Sequence, residues 1–262
     1  MRVKREKTGE TVRDKQGLWG ARLFCFETLP STQDWARDRA ATLKHGDVVW
    51  ARRQTRGRGR FDRTWLAARD SGLAVTVLLQ PGDNPFLSAP VTQAAAVAVC
   101  GALQARQIAA RLKWPNDVLV ANRKIAGILA EHLPEHDAIV LGIGINVNMT
   151  PRDFAALPAS KPATSLRIET GATAPVRALL DEVLRCLASA IEGLATNGPE
   201  QIAAFWSRND ALTGRRILVA HPDGKTVAGL YRGLSPDGAL LMDADNGERR
   251  EFWSGEVGIV PL

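Results

Sequence analysis

Between positions 54 and 65 the chain reads QTRGRGRFDRTW, and no other stretch restricts the fold as much. Arg56, Arg58, Arg60 and Arg63 face a single acid, Asp62, and Arg52 and Arg53 lie just upstream. Unpaired charges cost too much to desolvate for this segment to enter a core. Gly57 and Gly59 weaken a strand and permit positive φ. The expectation is a mobile loop that interrupts the sheet. It is fed by the strand-like run DVVWARRQ at 47–54 and followed by the apolar run LAVTVLL at 73–79. Such a loop can grip a nucleic-acid backbone, grip a phosphorylated small molecule, or simply be solvated.

The rest of the chain mixes strands and helices without regular βαβ alternation. ARLFCFETL at 21–29 reads as a strand, and Ser31 is a good N-cap for a helix over 31–43. The alanine-rich stretch 87–107 suits a buried helix. KWPNDVLV (113–120) and RKIAGILAE (123–131) read as strands around a sharp turn at Pro115 and a short turn at 121–123. HDAIVLGIGINVN (136–148) is a further strand, and 150–163 is a Pro/Ala-rich connection. Helices are expected over 175–194 and 199–209, each opening with proline. From about Thr213, short β-like runs alternate with PDG and DNG, which are hairpin turns. The fold class is therefore α+β: a mixed or mostly antiparallel sheet backed by helices, with a small C-terminal β-barrel-like module. The expected division is a flexible basic arm at 1–20, a main domain at 21–211 and the module at 212–262.

Composition excludes several classes. No apolar run is long enough to span a membrane, and the basic N-terminus lacks the apolar core of a signal peptide. The three cysteines (Cys25, Cys100, Cys186) are far apart, which argues against a disulfide framework or a zinc site. The expected location is the cytoplasm. A net charge of +6 allows an anionic partner without demanding nucleic acid.

Four stretches can carry chemistry, and each has a plainer reading. GRGRFD and GIGINV begin like a dinucleotide fingerprint, but neither has the third glycine. Ser31, Thr32 and Gln33 open a helix, where free N–H groups bind polar or anionic ligands; capping alone also explains Ser31. The arginine stretch can equally be a solvated loop. Asn116 and Asp117 follow Pro115, and Lys124 opens an apolar run beside them; an ordinary hairpin has the same look. Asp117 could ligate Mg²⁺ or accept a hydrogen bond from a substrate. Gly142 and Gly144 interrupt an apolar strand that ends at Asn146 and Asn148, leaving room for a ligand or for a close-packed helix. Together, cations, bared backbone and amides suit an anionic nucleotide with a flat organic body. Phosphoryl and adenylyl transfer need that layout, because catalysis there is positioning plus neutralisation of spreading negative charge.

In this order and spacing, STQ, GRGRFDRTW, KWPNDV, KIAGILAE and GIGINVN resemble the biotin–protein ligases, also called biotin–[acetyl-CoA-carboxylase] ligases. The resemblance covers about 23–148, and the small C-terminal β-module also fits. It implies a class II synthetase-like catalytic domain shared with lipoate ligases, followed by an SH3-like barrel. It implies an enzyme that joins biotin to ATP with Mg²⁺, releases pyrophosphate, and passes biotin from biotinyl-5′-adenylate to a lysine of a carboxylase's biotin carboxyl carrier domain. Neither a nucleic-acid nor a membrane partner is implied, and the chain is expected to be a monomer or homodimer. Carried over by position, Ser31, Thr32, Gln33, Gln54 and Gly127 fall at the biotin site. Arg58, Gly59 and Arg60 fall in the segment that folds over biotin and the adenylate. Lys124 falls where the family grips the biotin carboxylate and the α-phosphate, so Lys124, Arg60 and Asp117 are the catalytic candidates. Trp65, Asn116 and Asn146 fall near the nucleotide and the acceptor lysine.

Two departures accompany this. Many relatives carry asparagine at the position of Gln33, whose longer amide must reach the ligand differently. Some carry an N-terminal winged helix that represses biotin synthesis. Here about twenty residues precede the first expected strand, against roughly 11 for each helix of such a domain, so operator binding is not expected. The rival readings are a lipoate–protein ligase of the same fold and a nucleic-acid-binding protein. The second predicts aromatics interleaved with the cations, and only Phe61 and Trp65 are available.

Overall fold

Apolar residues alternate with small or polar ones along the central strands, and this period of two sets the architecture. The computed structural model describes residues 3–5, 10–61, 63–82, 90–156, 162–221 and 223–260. The chain runs through β1 (Val3–Arg5), β2 (Glu10–Arg13), β3 (Leu23–Phe26), α1 (Thr32–Arg37) and β4 (Val48–Ala51). It continues through β5 (Gln54–Arg58), β6 (Thr64–Ala67), β7 (Gly72–Leu79), α2 (Val91–Gln104), β8 (Ala110–Lys113), β9 (Asp117–Val120), β10 (Arg123–Leu133) and β11 (Ala138–Asn146). Short helices α3 (Pro151–Ala155) and α4 (Leu166–Thr170) lead to the long α5 (Val176–Asn197) and to α6 (Glu200–Asn209). The last segment holds β12 (Arg216–Ala220), β13 (Thr226–Leu234), β14 (Leu240–Ala244), β15 (Arg249–Phe252) and β16 (Glu256–Ile259).

The main sheet has the order β1-β2-β3-β4-β7-β11-β10-β9-β8. Its pairs are antiparallel except β3–β4, which is parallel. Val75 and Val77 of β7, with Leu141, Ile143 and Ile145 of β11, pack against α2 and α5. Val140 and Leu78 belong to a second cluster, with Phe24, Phe26, Val49 and Ala36 of α1. Alternation then places Thr76, Gly142 and Gly144 on the α1 side, where they form the floor of the site described below. α2 is buried nearly all round, as its alanine-rich sequence anticipates. The expected helix start at Leu87 lies outside the described residues.

Three expectations need correction. The N-terminal segment is not simply a free arm: β2 pairs with β3 from Glu10↔Phe26 to Arg13↔Leu23, and β1 pairs with β2. Charged residues tolerate this edge position because one face of an edge strand meets water. The helix expected over 31–43 ends at Arg37, and the chain continues in turns bonded Ala40 N–H to Arg37 O (3.2 Å) and Thr42 N–H to Arg39 O (2.8 Å). The arginine stretch is a hairpin, β5 with β6, rather than a loop, with a register shift between Gln54 and Gly57. Gly57 makes it possible: a Cβ there would lie 2.2 Å from the Trp65 carbonyl oxygen and 2.4 Å from Gln54 Nε2. The cations stay out of the core because the ribbon stands away from the main sheet.

The C-terminal strands form an antiparallel sheet in the order β15-β14-β13-β12-β16, as an SH3-like module requires, although β15 and β16 do not close it into a ladder. Gly224, Gly238 and Gly247 take positive φ in its turns, the role that PDG and DNG anticipate. Trp114 Nε1 and Gln93 Nε2 donate to Gly238 O at 3.0 and 3.2 Å, tying the turn to the main domain. Beneath it, buried Asp210 accepts from Trp206 Nε1 (3.1 Å), Leu212 N–H (2.8 Å) and the Tyr231 hydroxyl. Burial pushes the Asp210 carboxyl up, and these donors oppose the rise. Tyr231→Phe removes one donor from a buried carboxylate and is expected to cost about 2 kcal/mol in urea unfolding. A loss under about 0.5 kcal/mol would mean that water replaces the hydroxyl. Among the described residues no helix is long and apolar enough to cross a membrane.

Candidate active site

The site begins at the start of α1. Ser31 caps it by accepting from Asp34 N–H at 3.2 Å, so Ser31 does the capping that its sequence context allows. The next two side chains turn inward and are buried. Thr32 gives both its backbone N–H and its hydroxyl to Gln54 Oε1, at 2.7 and 3.0 Å. Thr76, with no exposed surface, donates to Thr32 Oγ1 at 2.9 Å and lies 3.4 Å from Gln33 Oε1. Gln33 donates to Val140 O at 2.9 Å and to Glu131 Oε2 at 2.8 Å. A buried polar chain therefore joins α1, the root of the arginine hairpin and three strands of the sheet.

The arginine hairpin closes over this chain. Arg58 bonds Asp34 Oδ1 at 3.0 Å and Glu131 Oε1 at 2.9 Å. Burial pulls the Arg58 guanidinium down, and Glu131 and Asp34 more than reverse it, so the net shift is upward. Further out, Arg60 donates to Gly255 O at 3.4 Å and Arg63 pairs with Glu256, so the hairpin tip rests on the C-terminal module. Burial lowers the Arg60 guanidinium from its ordinary value, against the pull of Asp117 and Glu256.

Trp65 fills the space between hairpin and floor. A Cβ at Gly144 would lie 2.4 Å from the Trp65 ring, and one at Gly142 would lie 2.5 Å from Gln33 Oε1. The glycines are there because side chains from other elements occupy their faces. The cavity left among Thr32, Gln54, Thr76, Gly127 and Gly142 is only about 40 Å³. The Trp65 indole N–H is buried with no acceptor among the described residues.

Lys124 lies at the other end of Trp65, its ammonium 5.7 Å from the ring centroid and 2.5 Å from Asp117 Oδ1. A Cβ at Gly127 would come within 2.9 Å of Lys124 Nζ, so Gly127 keeps the path to the ammonium open. Asn116 and Asn146, expected near the nucleotide and the acceptor lysine, each hold backbone beside Lys124 and β10. Asn116 donates to Ile128 O at 2.6 Å, holding the turn onto β10. Asn146 donates to Thr164 O at 3.0 Å, steadying the chain beside Lys124. Gly59 donates to Arg63 O at 2.7 Å within the hairpin tip. Asp117 is committed to Lys124, and no cluster of three or more His, Cys, Asp or Glu among the described residues could hold a metal. Magnesium wants near-octahedral oxygen donors, so these residues do not fit a dedicated metal site.

Sequence reasoning missed Thr76, Asp34 and Glu131. Thr76 had a signal, being the lone polar residue in LAVTVLL; Asp34 and Glu131 look like any solvated acid.

Comparison with known proteins agrees with this geometry. Residues 23–148 match the biotin/lipoate A/B protein ligase family, and residues 213–259 match the biotin protein ligase C terminal domain. The bifunctional ligase/repressor BirA of Bacillus subtilis is 32% identical over 244 residues, covering 91% of this chain and 74% of its own. The biotin–[acetyl-CoA-carboxylase] ligase of Paracoccus denitrificans is 33% identical, covering 84% of this chain and 93% of its own. The Aquifex aeolicus biotin protein ligase solved with biotin and ATP superposes with a TM-score of 0.78 at 27% identity, over 92% of this chain and 99% of that one. With a glycine-floored polar pocket, an arginine hairpin above it and both domains matched, the chain belongs to the biotin protein ligase family.

Proposed function

We propose that this chain activates biotin with ATP and transfers it to a lysine of a biotin carboxyl carrier domain. The observation that carries this reading is the polarity of the pocket: an uncharged amide-and-hydroxyl end at Thr32, Gln33, Gln54 and Thr76, and a cationic end at Lys124. Biotin has the matching shape, a flat ureido ring at one end and a carboxylate at the other. Trp65 and the hairpin swing aside to admit it.

In the first step a carboxylate oxygen of biotin attacks the α-phosphorus of ATP. A C–O–P anhydride forms and the bond to pyrophosphate breaks. Two anions must approach each other, and Lys124 and Arg60 offset their repulsion and the charge that builds on the α-phosphate. A magnesium ion, if bound, would be held by the phosphate oxygens of ATP and would add to the neutralisation that Lys124 and Arg60 supply. In the second step the neutral amine of the carrier lysine attacks the biotinyl carbonyl carbon, AMP leaves, and the amine gives up a proton as the amide forms. The anhydride hydrolyses readily, so water must be excluded meanwhile. The hairpin, with Arg58 anchored at its base and Arg60 at its tip, serves as the lid. Residues 21–211 form the catalytic unit on this reading, and 212–262 the module that receives the lid.

Incubating the protein with ATP, Mg²⁺ and biotin, then looking for biotinyl-adenylate by mass spectrometry, tests the reading directly. Lipoate in place of biotin is the control; adenylation of lipoate alone would overturn the substrate assignment. Arg60→Gly is expected to raise the release of free adenylate about tenfold, the equivalent of losing one contact of roughly 1.4 kcal/mol. The measurement is a chase of labelled adenylate from the enzyme, and an unchanged release rate would remove Arg60 from the lid.

A further inference from the structure

The two ends of the Gln33 amide are treated differently. Its nitrogen has two hydrogens, and both are spent on the sheet: Nε2 donates to Val140 O at 2.9 Å and to Glu131 Oε2 at 2.8 Å. Glu131 and Val140 face each other across β10 and β11, so one register pair supplies both acceptors. The amide oxygen has no such commitment. Its hydroxyl neighbour, Thr76 Oγ1, is 3.4 Å away, and the single Thr76 hydrogen goes to the nearer Thr32 Oγ1 at 2.9 Å. Thr32 in turn passes its hydroxyl hydrogen to Gln54 Oε1 at 3.0 Å. The hydrogens of the polar chain therefore run towards Gln54, and Gln33 Oε1 keeps its lone pairs among the described residues. It lies over Gly142, where a Cβ would be only 2.5 Å away, beside the cavity that both residues line. Gln33 is 4% exposed, and a buried acceptor left over in this way is an acceptor offered to a ligand.

What keeps the amide this way round is Glu131. Reversing it would press Oε1 against a carbonyl and a carboxylate, two acceptors that repel it. The carboxylate contributes the larger share, because a hydrogen bond to an ionised acceptor is roughly twice as strong as a neutral one. Glu131 is itself held in place. Arg58 grips its other oxygen, Oε1, at 2.9 Å and reaches Oε2 at 3.3 Å. Arg58 is fixed in turn by Asp34 Oδ1 at 3.0 Å. The base of the arginine hairpin therefore clamps one side of the carboxylate and leaves the other side for Gln33.

We infer that Glu131 is a positioning residue that sets which ligand chemistry the uncharged end of the pocket accepts. Held by Arg58, it turns the Gln33 amide so that an oxygen, not an N–H, faces the ligand. The pocket thereby selects a ring that carries N–H donors, as a cyclic urea does, and disfavours a ring that offers acceptors or sulfur alone. Glu131 acts through Gln33 and needs no contact with the ligand. The inference rests on the ligase reading, in which that ring is the ureido ring of biotin.

The test is a double-mutant cycle on the full chain, with biotin affinity measured by calorimetry for wild type, Glu131→Ala, Gln33→Met and the double variant. Glu131→Ala is expected to weaken biotin about tenfold, the scale of one charge-assisted hydrogen bond. Its Arg58 keeps Asp34 as a partner, so no cation is stranded. Gln33→Met removes the acceptor itself and should cost at least as much. The double variant should bind within about twofold of Gln33→Met, because Glu131 has nothing left to orient. A carboxylate that merely braced the fold would instead give losses that multiply. Thermal melts check that each variant is folded; should alanine unfold the chain, Glu131→Gln, equal in size, enters the same cycle with the same criteria. Multiplying losses, or a Glu131 variant that binds biotin within about twofold of wild type, would overturn the inference while the ligase reading stands. Wild-type protein that binds no biotin at all would overturn the ligase reading, and this inference with it.

Discussion

Lys124→Met is expected to slow pyrophosphate release from ATP and biotin by about 10³-fold, the upper range for deleting one preorganised oxyanion donor. Two effects add. The ammonium that faces the reacting carboxylate and α-phosphate is gone, and Asp117, paired with it at 2.5 Å, is left as an unbalanced negative charge beside two anions. The loss should fall mainly on kcat, because neutralisation matters most as charge spreads in the transition state. Asp117→Asn, which leaves the ammonium in place, should cost far less. A fall of less than about tenfold in the lysine variant would mean that another cation, Arg60 first, performs the neutralisation.

Gly142→Val is expected to weaken biotin binding by about 100-fold or more, near 2.7 kcal/mol, while leaving the fold intact. Valine suits a central strand, and the Ile143 side of β11 is unchanged. On the other face its Cβ would sit 2.5 Å from Gln33 Oε1. The amide must then leave Val140 and Glu131, breaking the polar chain at its centre. Calorimetry with biotin and a thermal melt together check this. A variant that melts normally and binds biotin within about fivefold of wild type would show that Gln33 is not part of the biotin end of the pocket.

What could be read from the sequence was what local chemistry dictates. Ser31 as a helix cap, the short turn at 121–123 between two strands, and the DNG turn all appear where the sequence places them. GIGIN also revealed that something approaches the backbone, though not that Trp65 and Gln33 do so. The arginine stretch was misread because composition speaks for solvent exposure, not for pairing. A hairpin that pairs only with itself meets both requirements at once, with Gly57 absorbing the close approach. Thr76, Asp34 and Glu131 were illegible because their role comes from cross-strand register and from a helix brought down on the sheet.

β11 is one ribbon with two jobs. Its isoleucines hold up the helices, and the residues between them must vanish to leave a bed for a visitor. A single inserted residue between positions 138 and 146 would exchange the two jobs, driving bulk into the bed and holes into the wall. This stretch should therefore accept an exchange of one aliphatic side chain for another at positions 139, 141, 143 and 145 far more readily than any change in its length.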